Sequence, residues 1–527
     1  MSVHRRQFLR SLGIGTLGLT FPEILFPVSR NSERPNILFI MTDDHAERAI
    51  SSYGSDLLET PGIDRIAREG VRFDNSFVTN SICAPSRAVM LTGKYSHVNG
   101  LRDNRDKFDG SQMTFPKLLR EAGYFTGVVG KWHLKTEPTG FDLWKILKGQ
   151  GNYYSPEFSE QGTMRKYSGY TTDLITDKAI EALHDRPKEK PFCLLVHHKA
   201  PHRNFMPNVT HLEEFADTEF PLPPTLHDDY EGRPAAEHAD MRIEDMFLSF
   251  DLKLKPWAYE EETGTGGNAE FAEQAPEMLA EAYNRMTKEQ KEVWDSHYDQ
   301  VSREFRESDL TGRALSEWKY QRYIRDYLRC VRSVDENVER LLDYLDQEGL
   351  AQNTLVIYTS DQGFYLGEHG WYDKRFMYEE SLRTPLVMRF PQEVPGGLVK
   401  DNMVLNLDLA PTILYFAGIS PPDGMQGRSL RTVAGEKPAE NWRDSVYYHY
   451  YEYPHGWHDV YKHYGVRTDR YKLIHFYDEI DHWELYDLKE DPGEMTNRYS
   501  DPAYQQTVKR LKGELERLRR KFGDTTP

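Results

Sequence analysis

Polar side chains of reactive type follow four apolar segments of the sequence, at the point where each segment ends. The segments are residues 36–42, 125–130, 191–197 and 354–360. The residues that follow them are Asp43 and Asp44, Lys131 and His133, His198 and His202, and Asp361 and Gln362. Nearly continuous apolar runs of this length predict buried parallel strands, whose carboxyl ends form the ligand-binding edge of a sheet. We therefore expect these side chains to meet at one edge.

Four of these side chains offer oxygen ligands for a divalent cation. Asp43, Asp44 and Asp361 supply carboxylates, and Gln362 supplies an amide oxygen. Carboxylates packed closely together oppose one another's ionisation unless a cation lies among them. Oxygen donors without a Cys/His pair at zinc spacing favour Ca²⁺, with Mg²⁺ as the alternative.

Three cationic side chains, Arg87, Lys131 and Lys374, are predicted to lie beside this metal site. The whole chain has 66 basic and 84 acidic residues and a net charge of −18, which argues against nucleic-acid binding. A local group of cations next to a metal ion and histidines instead predicts a small tetrahedral anion. The substrate is therefore expected to be a phosphate or sulfate ester.

The segment SICAPSRAVMLTGK, residues 81–94, contains a candidate nucleophile. Pro85 suits the first turn of a helix, so Cys83 is expected just before the N-terminus of that helix. Such a position favours anion binding and lowers the pKa of a thiol. A buried structural cysteine is the alternative, and it is the role we predict for Cys193 and Cys330.

The run Cys83-Ala84-Pro85-Ser86-Arg87, followed by Leu91-Thr92-Gly93-Lys94, resembles the signature of the formylglycine-dependent (type I) sulfatases. The resemblance extends from residues 34–36 to the motif at 484–492. It implies an α/β fold similar to alkaline phosphatase. That fold has a large mixed, mostly parallel sheet flanked by helices, and a smaller C-terminal domain of antiparallel sheet and helix.

The resemblance also implies a role for each matching residue. A formylglycine-generating maturation enzyme would oxidise Cys83 to formylglycine, whose hydrate would be the nucleophile. The implied ligands of Ca²⁺ are Asp43, Asp44, the residue at Cys83, Asp361 and Gln362, which replaces the Asn or His of many members. The other implied roles are Arg87 to hold the hydrate, His133 to take its second proton, Lys131 and Lys374 to bind the sulfate, and His202 to protonate the departing alcohol.

Residues 447–453 and 463–468 resemble the bacterial sulfatases that remove 6-O-sulfate from N-acetylglucosamine in heparan-type glycans. The expected substrate is therefore a sulfated saccharide, with aromatic rings stacked on the sugar. His463 is the predicted substrate-binding residue, and His455 could also hydrogen-bond the ring hydroxyls. Iduronate and galactosamine sulfates are alternative substrates. The aromatic residues could equally fill the core of the smaller domain.

The start of the chain predicts export. The basic run HRRQFLR, residues 4–10, precedes a short apolar run, which is typical of a twin-arginine signal for folded cargo. We expect a periplasmic or extracellular protein with no membrane span in the mature chain.

The 527-residue chain is long enough for more than one domain. Apolar residues recurring every three or four positions predict a helix over 318–350. The predicted parts are an export signal and linker at 1–33, a catalytic domain at 34–432 with a surface insertion at 203–309, and a smaller domain at 440–522. The insertion is expected to form a lid or a substrate wall.

Two other classes of function share part of this pattern. A phosphatase or phosphodiesterase of the same superfold would use similar carboxylates and histidines, but it would ordinarily carry Ser or Thr as the nucleophile. A glycan-binding protein without catalysis would keep the sulfate site and lack the modified cysteine.

Overall fold

The computed structural model describes residues 34–262, 264–266, 269–437 and 439–526. The predicted export signal lies outside these residues. From Arg34 onward the chain forms one compact unit. In the described part of the chain, no helix is both long and apolar enough to cross a membrane.

The strands of the described residues lie in one large and three small sheets. They are β1 (Asn36–Asp43), β2 (Val71–Phe73), β3 (Ser76–Phe77), β4 (Phe125–Gly130), β5 (Leu143–Leu147), β6 (Glu157–Glu160), β7 (Thr163–Lys166), β8 (Phe192–Pro201), β9 (Thr354–Ser360), β10 (Tyr365–Leu366), β11 (Tyr372–Asp373), β12 (Leu386–Arg389), β13 (Leu398–Lys400), β14 (Val404–Leu405), β15 (Ser445–Tyr450), β16 (His463–Thr468), β17 (Tyr471–Phe476) and β18 (His482–Asp487).

Several α-helices of the same residues contact strands of the large sheet, and the last one contacts the C-terminal sheet. In chain order the α-helices are α1 (Pro61–Arg68), α2 (Cys83–Thr92), α3 (Ser96–Asn99), α4 (Phe115–Glu121), α5 (Thr171–Asp185), α6 (Pro234–His238), α7 (Ala269–Asn284), α8 (Lys288–Ser308), α9 (Gly312–Gln347), α10 (Glu379–Leu382), α11 (Leu409–Phe416) and α12 (Gln505–Phe522).

The large sheet has ten strands in the order β13-β2-β12-β9-β1-β8-β4-β5-β6-β7. The four strands predicted from the sequence are its central neighbours β9, β1, β8 and β4, and they pair in parallel. Both faces of these strands are covered. Along β1, Leu38 and Ile40 pack into one apolar core while Ile37 and Phe39 pack into the other. This two-sided burial explains why the four strands are apolar along their whole length.

The long helix α9 packs on the first of these cores, as its apolar periodicity predicts, and begins six residues earlier than expected. Its Tyr327 hydroxyl donates a hydrogen bond to the Asp44 carbonyl at 2.7 Å. The same hydroxyl accepts one from the Ala46 amide at 2.8 Å. Helix α9 thereby holds the turn that follows β1.

The C-terminal sheet is antiparallel, in the order β15-β16-β17-β18. Helix α12 covers it with Val508, Leu511, Leu515 and Leu518, which recur at helical spacing on one face. The predicted domain boundaries at 432 and 440 remain predictions.

The segment 203–309 is not confined to the surface, contrary to expectation. Phe205, Met246 and Leu252 are fully buried in the core that α9 covers. The segment also contains α6, α7 and α8. Its many charged residues suggested a surface location, but its apolar residues are spaced without a periodic pattern and pack against α9.

Candidate active site

The four groups of polar residues that follow β1, β4, β8 and β9 converge at one edge of the large sheet. Carboxylate oxygens of Asp43, Asp44 and Asp361 lie within 4.8 Å of one another. Ligand atoms of Asp43, Cys83 and His202 also lie within 4.8 Å of one another. The edge therefore gathers carboxylates, a thiol and an imidazole, as the order of strands and polar residues predicts.

Cys83 is the first residue of α2, one position later in the helix than the sequence predicts. Its Sγ lies 3.3 Å from Asp43 Oδ1 and 3.8 Å from Gln362 Nε2, and the residue is 1% exposed. The expectation of a lowered thiol pKa is wrong for the unmodified cysteine. Burial and the neighbouring charge of Asp43 raise the pKa of Cys83, and these effects outweigh the helix N-terminus.

Each carboxylate of the cluster contacts a buried cation. The Lys131 ammonium contacts Asp43, and the Lys374 ammonium lies 2.7 and 2.6 Å from the two oxygens of Asp44. Arg87 donates from Nε to Asp361 Oδ2 at 2.9 Å, and from Nη1 to the Lys131 carbonyl at 2.8 Å. The three cations predicted from the sequence thus lie around the acidic cluster.

The three carboxyl groups titrate differently. Burial opposes the ionisation of Asp43, but the charges of Lys131 and other neighbours hold its pKa well below the usual range. Burial raises the pKa of Asp44 to about 6 and that of Asp361 to about 7, despite their contacts with cations. Two of the three carboxyls therefore retain a proton more readily than a solvated carboxyl does.

These residues fit a hard divalent cation. Two buried carboxyls with raised pKa values would ionise more readily beside a positive ion. The amide oxygen Oε1 of Gln362 is buried and has no hydrogen-bond partner, although its Nε2 contacts Asp44. An unpartnered oxygen beside three carboxylates is a donor set of the kind that Ca²⁺ and Mg²⁺ prefer.

Two histidines lie beside the cluster. His202 Nδ1 lies 2.7 Å from the Arg203 carbonyl, and its Nε2 lies 3.7 Å from Asp44 Oδ2. His133 has a left-handed backbone, with φ of 59°, and its buried Nδ1 has no hydrogen-bond partner among the described residues. Burial lowers the pKa of both imidazoles well below the usual range, so both are neutral at pH 7 in this site.

A cleft of about 490 Å³ opens beside these residues. Its floor includes Cys83, His202 and Lys374. One wall comes from the segment 203–309, through Arg203, Asn204, Met206, Phe250, Met278 and Ala282. Glu452, His455 and Trp457, which follow β15, line another part of the cleft. The cleft is large enough for a sugar unit, and segments far apart in the sequence shape it.

The structure does not place His463 in this cleft, which corrects its prediction as a substrate-binding residue. His463 is fully buried, its Nε2 accepts a hydrogen bond from the Met377 amide at 3.1 Å, and its ring packs on Phe376 and Phe476. Tyr447, Tyr448 and Tyr450 are likewise fully buried in the core of the C-terminal sheet. His455, in contrast, lines the cleft.

Sequence reasoning missed two residues that flank Lys374. Asp373 and Arg375 both line the cleft and both adopt positive φ, of 81° and 101°. Arg375 donates from Nη1 to Glu452 at 3.1 Å, which connects the loop after β11 to the C-terminal sheet. A run of three charged residues has no distinctive spacing, so the sequence alone did not separate these two from solvated charges.

Residues 35–419 match the family Sulfatase, and residues 367–521 match the family "N-sulphoglucosamine sulphohydrolase, C-terminal". An N-acetylglucosamine-6-O-sulfatase of Bacteroides thetaiotaomicron is 50% identical over 509 residues, which are 95% of this chain and 89% of that protein. An uncharacterized sulfatase of Escherichia coli K12 is 27% identical over 499 residues, covering 89% of this chain and 84% of that protein.

A solved structure of a protein with its substrate D-glucosamine-2-N,6-O-disulfate superimposes with a TM-score of 0.89 at 50% identity. The match covers 94% of this chain and 99% of that protein. The predicted fold class is confirmed, with a large mixed sheet flanked by helices and a small C-terminal antiparallel sheet. The resemblance noted in the sequence is confirmed as well. The chain belongs to the sulfatase family and is a sulfuric ester hydrolase.

Proposed function

We propose that this enzyme removes the 6-O-sulfate from an N-acetylglucosamine or related glucosamine unit of a sulfated glycan. It would do so with a formylglycine made from Cys83 and with Ca²⁺. The observation that carries the proposal is the position of Cys83 between the carboxylate cluster and a sugar-sized cleft, in a chain 50% identical to an N-acetylglucosamine-6-O-sulfatase. Mg²⁺ is the alternative ion.

A hydrated formylglycine at position 83 would supply a nucleophilic oxygen, and Ca²⁺ would lower the pKa of that oxygen and offset negative charge. The ion would be held by Asp43, Asp44, Asp361, Gln362 and residue 83. Support for this ligand set comes from the close carboxylate oxygens and the unpartnered Gln362 Oε1. Arg87, which contacts Asp361, would orient residue 83.

Lys131 and Lys374 would bind the oxygens of the sulfate. Each ammonium now contacts a carboxylate that we assign to the cation. Once those carboxylates share a divalent ion, the positive charges of both lysines become available to an anionic ligand. Both lysines are at most 3% exposed, and buried charge interactions of this kind are stronger than those in water.

His202 would protonate the alcohol that leaves. If Nδ1–H donates to the Arg203 carbonyl, Nε2 is the nitrogen that can carry the transferable proton. Burial keeps this imidazole neutral in the free site. An anionic ester bound beside it would favour the protonated form. His133, also neutral, would accept a proton from residue 83.

The variant Cys83→Ala tests the nucleophile. We expect complete loss of sulfate release, with calcium binding and the unfolding temperature largely retained, because Asp43, Asp44, Asp361 and Gln362 would still hold the ion. Cys193→Ala is the matched control, since Cys193 is equally buried but lies in the core on β8. Intact-mass analysis of the peptide around Cys83 would separate an aldehyde from a thiol. Sulfate release by Cys83→Ala would disprove this assignment.

A panel of sulfated sugars tests the substrate. We expect hydrolysis of glucosamine 6-sulfates, and little or none of iduronate 2-sulfate or of galactosamine sulfates. Equal rates on all of them would overturn the sugar assignment while leaving the sulfatase activity intact. The export signal predicted at residues 1–33 would deliver the enzyme to the periplasm or the cell exterior, where such glycans are met.

A further inference from the structure

Lys199 is a buried cation in the cleft that has no anionic partner. It lies on β8, three residues before His202, lines the cleft and is 5% exposed. Among the described residues its ammonium forms no ion pair or hydrogen bond. Its contact is with the Tyr153 ring, whose centroid lies 4.8 Å from Nζ. The other buried cations of the cleft, Lys374, Arg203 and Arg375, each contact a carboxylate.

An unpaired ammonium at this position is unfavourable for folding. Taking a charged group out of water without a counter-charge costs free energy, and a methionine could fill the same space over Tyr153 without that cost. Burial, together with the charge of Lys131, lowers the pKa of Lys199 to about 8. Lys199 therefore remains mostly protonated at pH 7. The charges of Asp43 and Asp44 act on it only from a distance, and no described carboxylate contacts its ammonium.

The loop beside Lys199 adds two unpaired amides. Gln150 and Asn152 line the same cleft, three and five residues after the end of β5. The buried Oε1 of Gln150 has no hydrogen-bond partner, and neither side-chain amide donates a hydrogen bond to another described residue. Tyr153, next in the chain, contacts Lys199 through its ring and donates from its hydroxyl to the His202 carbonyl at 2.5 Å. Tyr153 thereby connects this loop to both Lys199 and His202.

We propose that Lys199, with the amides of Gln150 and Asn152, binds a second anionic group of the substrate, distinct from the sulfate that is cleaved. The proposal rests on the proposed function and makes it more specific, because the preferred substrate then carries two oxyanions. An N-sulfate on the same sugar and the carboxylate of a neighbouring uronic acid share this chemistry. A cation flanked by N–H donors suits either oxyanion.

The test compares three substrates that carry the same 6-sulfate. They are N-acetylglucosamine 6-sulfate, N-sulfated glucosamine 6-sulfate, and a disaccharide that joins the first of these to a uronic acid. For the wild type and Lys199→Met, kcat/KM is measured on each. For each doubly anionic substrate, kcat/KM is divided by the value for N-acetylglucosamine 6-sulfate. We expect Lys199→Met to lower this substrate ratio by about tenfold or more, mainly by raising KM for the doubly anionic substrate. The doubly anionic substrate whose higher kcat/KM is lost in Lys199→Met identifies the second anion as an N-sulfate or a uronic acid carboxylate.

Lys178→Met is the matched control. Lys178 is also a buried lysine over a tyrosine ring, with Nζ 3.3 Å from the Tyr167 centroid, but it pairs with Glu160 and lies outside the cleft. It should leave the substrate ratio unchanged. If Lys199→Met also leaves the substrate ratio unchanged, the proposal is overturned. The lysine would then affect all three substrates alike or none of them.

A binding measurement covers the case in which Lys199→Met is poorly active. In the Cys83→Ala background, calorimetry with N-sulfated glucosamine 6-sulfate should show about tenfold weaker binding when Lys199→Met is added. Unchanged affinity would also overturn the proposal. Failure of the proposed function has a different signature, since the wild type would then release no sulfate from any of the three sugars.

Discussion

At the scale of single residues, the carboxyl groups of the metal cluster link calcium binding to pH. Asp44 and Asp361 have folded-state pKa values of about 6 and about 7, above those of an unfolded chain. Below about pH 4 both carboxyls are protonated in the folded and in the unfolded chain, so they do not make the free energy of unfolding depend on pH. Between about pH 4 and pH 7 the unfolded chain gives up these protons first, so the metal-free fold loses stability as the pH rises.

This loss of stability with rising pH can be measured. Protein treated with EDTA should unfold at progressively lower temperature between pH 5 and pH 7.5. Adding Ca²⁺ should raise the unfolding temperature more at pH 7.5 than at pH 5, because the ion binds the ionised carboxylates. Scanning calorimetry across this range measures both effects. Asp361→Asn should reduce the calcium effect, and a calcium shift independent of pH would contradict the argument.

The role of His202 predicts a dependence on the leaving group. His202→Gln should lower kcat for a sugar 6-sulfate by about 10²–10⁴-fold, because an alcohol needs a proton in order to leave. For an aryl sulfate with an acidic phenol the loss should be much smaller. His198→Gln is the control, since His198 is buried on β8, the strand that His202 follows, and does not line the cleft. Equal losses on both substrates would argue against proton donation.

At the scale of elements, one ion pair within the segment 203–309 ties the middle of the segment to its first residue, which adjoins His202. Arg203 donates to both oxygens of Asp251 at 2.8 and 2.7 Å, and both side chains are at most 2% exposed. Five rings surround the guanidinium, from Phe247, Phe250, Phe271, Tyr372 and Trp457. Because the Arg203 carbonyl contacts His202 Nδ1, the ion pair also positions the histidine.

Asp251→Ala should therefore be costly. It leaves a buried guanidinium without its carboxylate, and such losses destabilise proteins by about 3–5 kcal/mol. Urea unfolding measures the difference in free energy. Glu260→Ala, at an exposed position in the same segment, should change it little. A loss below about 1 kcal/mol for Asp251→Ala would mean that the aromatic cage alone holds Arg203.

The sequence predicted the central elements and missed several contacts for physical reasons. Strands β1, β4, β8 and β9 are buried on both faces, so their apolar runs stand out. The pair of Arg203 and Asp251 is 48 residues apart in an aperiodic segment, and no local pattern reveals it. His463 was misjudged because every residue of β16 is buried. A strand covered on both faces shows no alternation that would separate a core histidine from one in a cleft.

At the scale of the whole molecule, buried charges join the C-terminal sheet to the catalytic part. Lys472 on β17 is fully buried, and its Nζ lies 2.9 Å from Glu379 on α10 and 2.7 Å from Glu494. Arg467 on β16 also contacts Glu379, at 3.1 Å. The two regions share an electrostatic contact as well as the apolar core around Phe376.

Lys472→Met should therefore destabilise the whole enzyme and not one part of it. Two carboxylates would lose their shared cation, at a cost of about 3–5 kcal/mol. We expect calorimetry to show a single transition, moved to lower temperature. Lys462→Met should have a small effect, because the partners of Lys462 in the same region, Asp478 and Glu479, are exposed. Two separate transitions would show that the C-terminal region unfolds on its own.

The near-complete enclosure of Cys83 determines when its chemistry must happen. The thiol lies at the start of α2, 1% exposed and bordered by Asp43 and Gln362. Although Cys83 lines the cleft, its thiol is too enclosed for the active site of a second protein to surround it in the folded enzyme. If another enzyme oxidises Cys83, as we propose, it would have to act on the nascent or unfolded polypeptide, and a chain that folded first would keep an unmodified thiol.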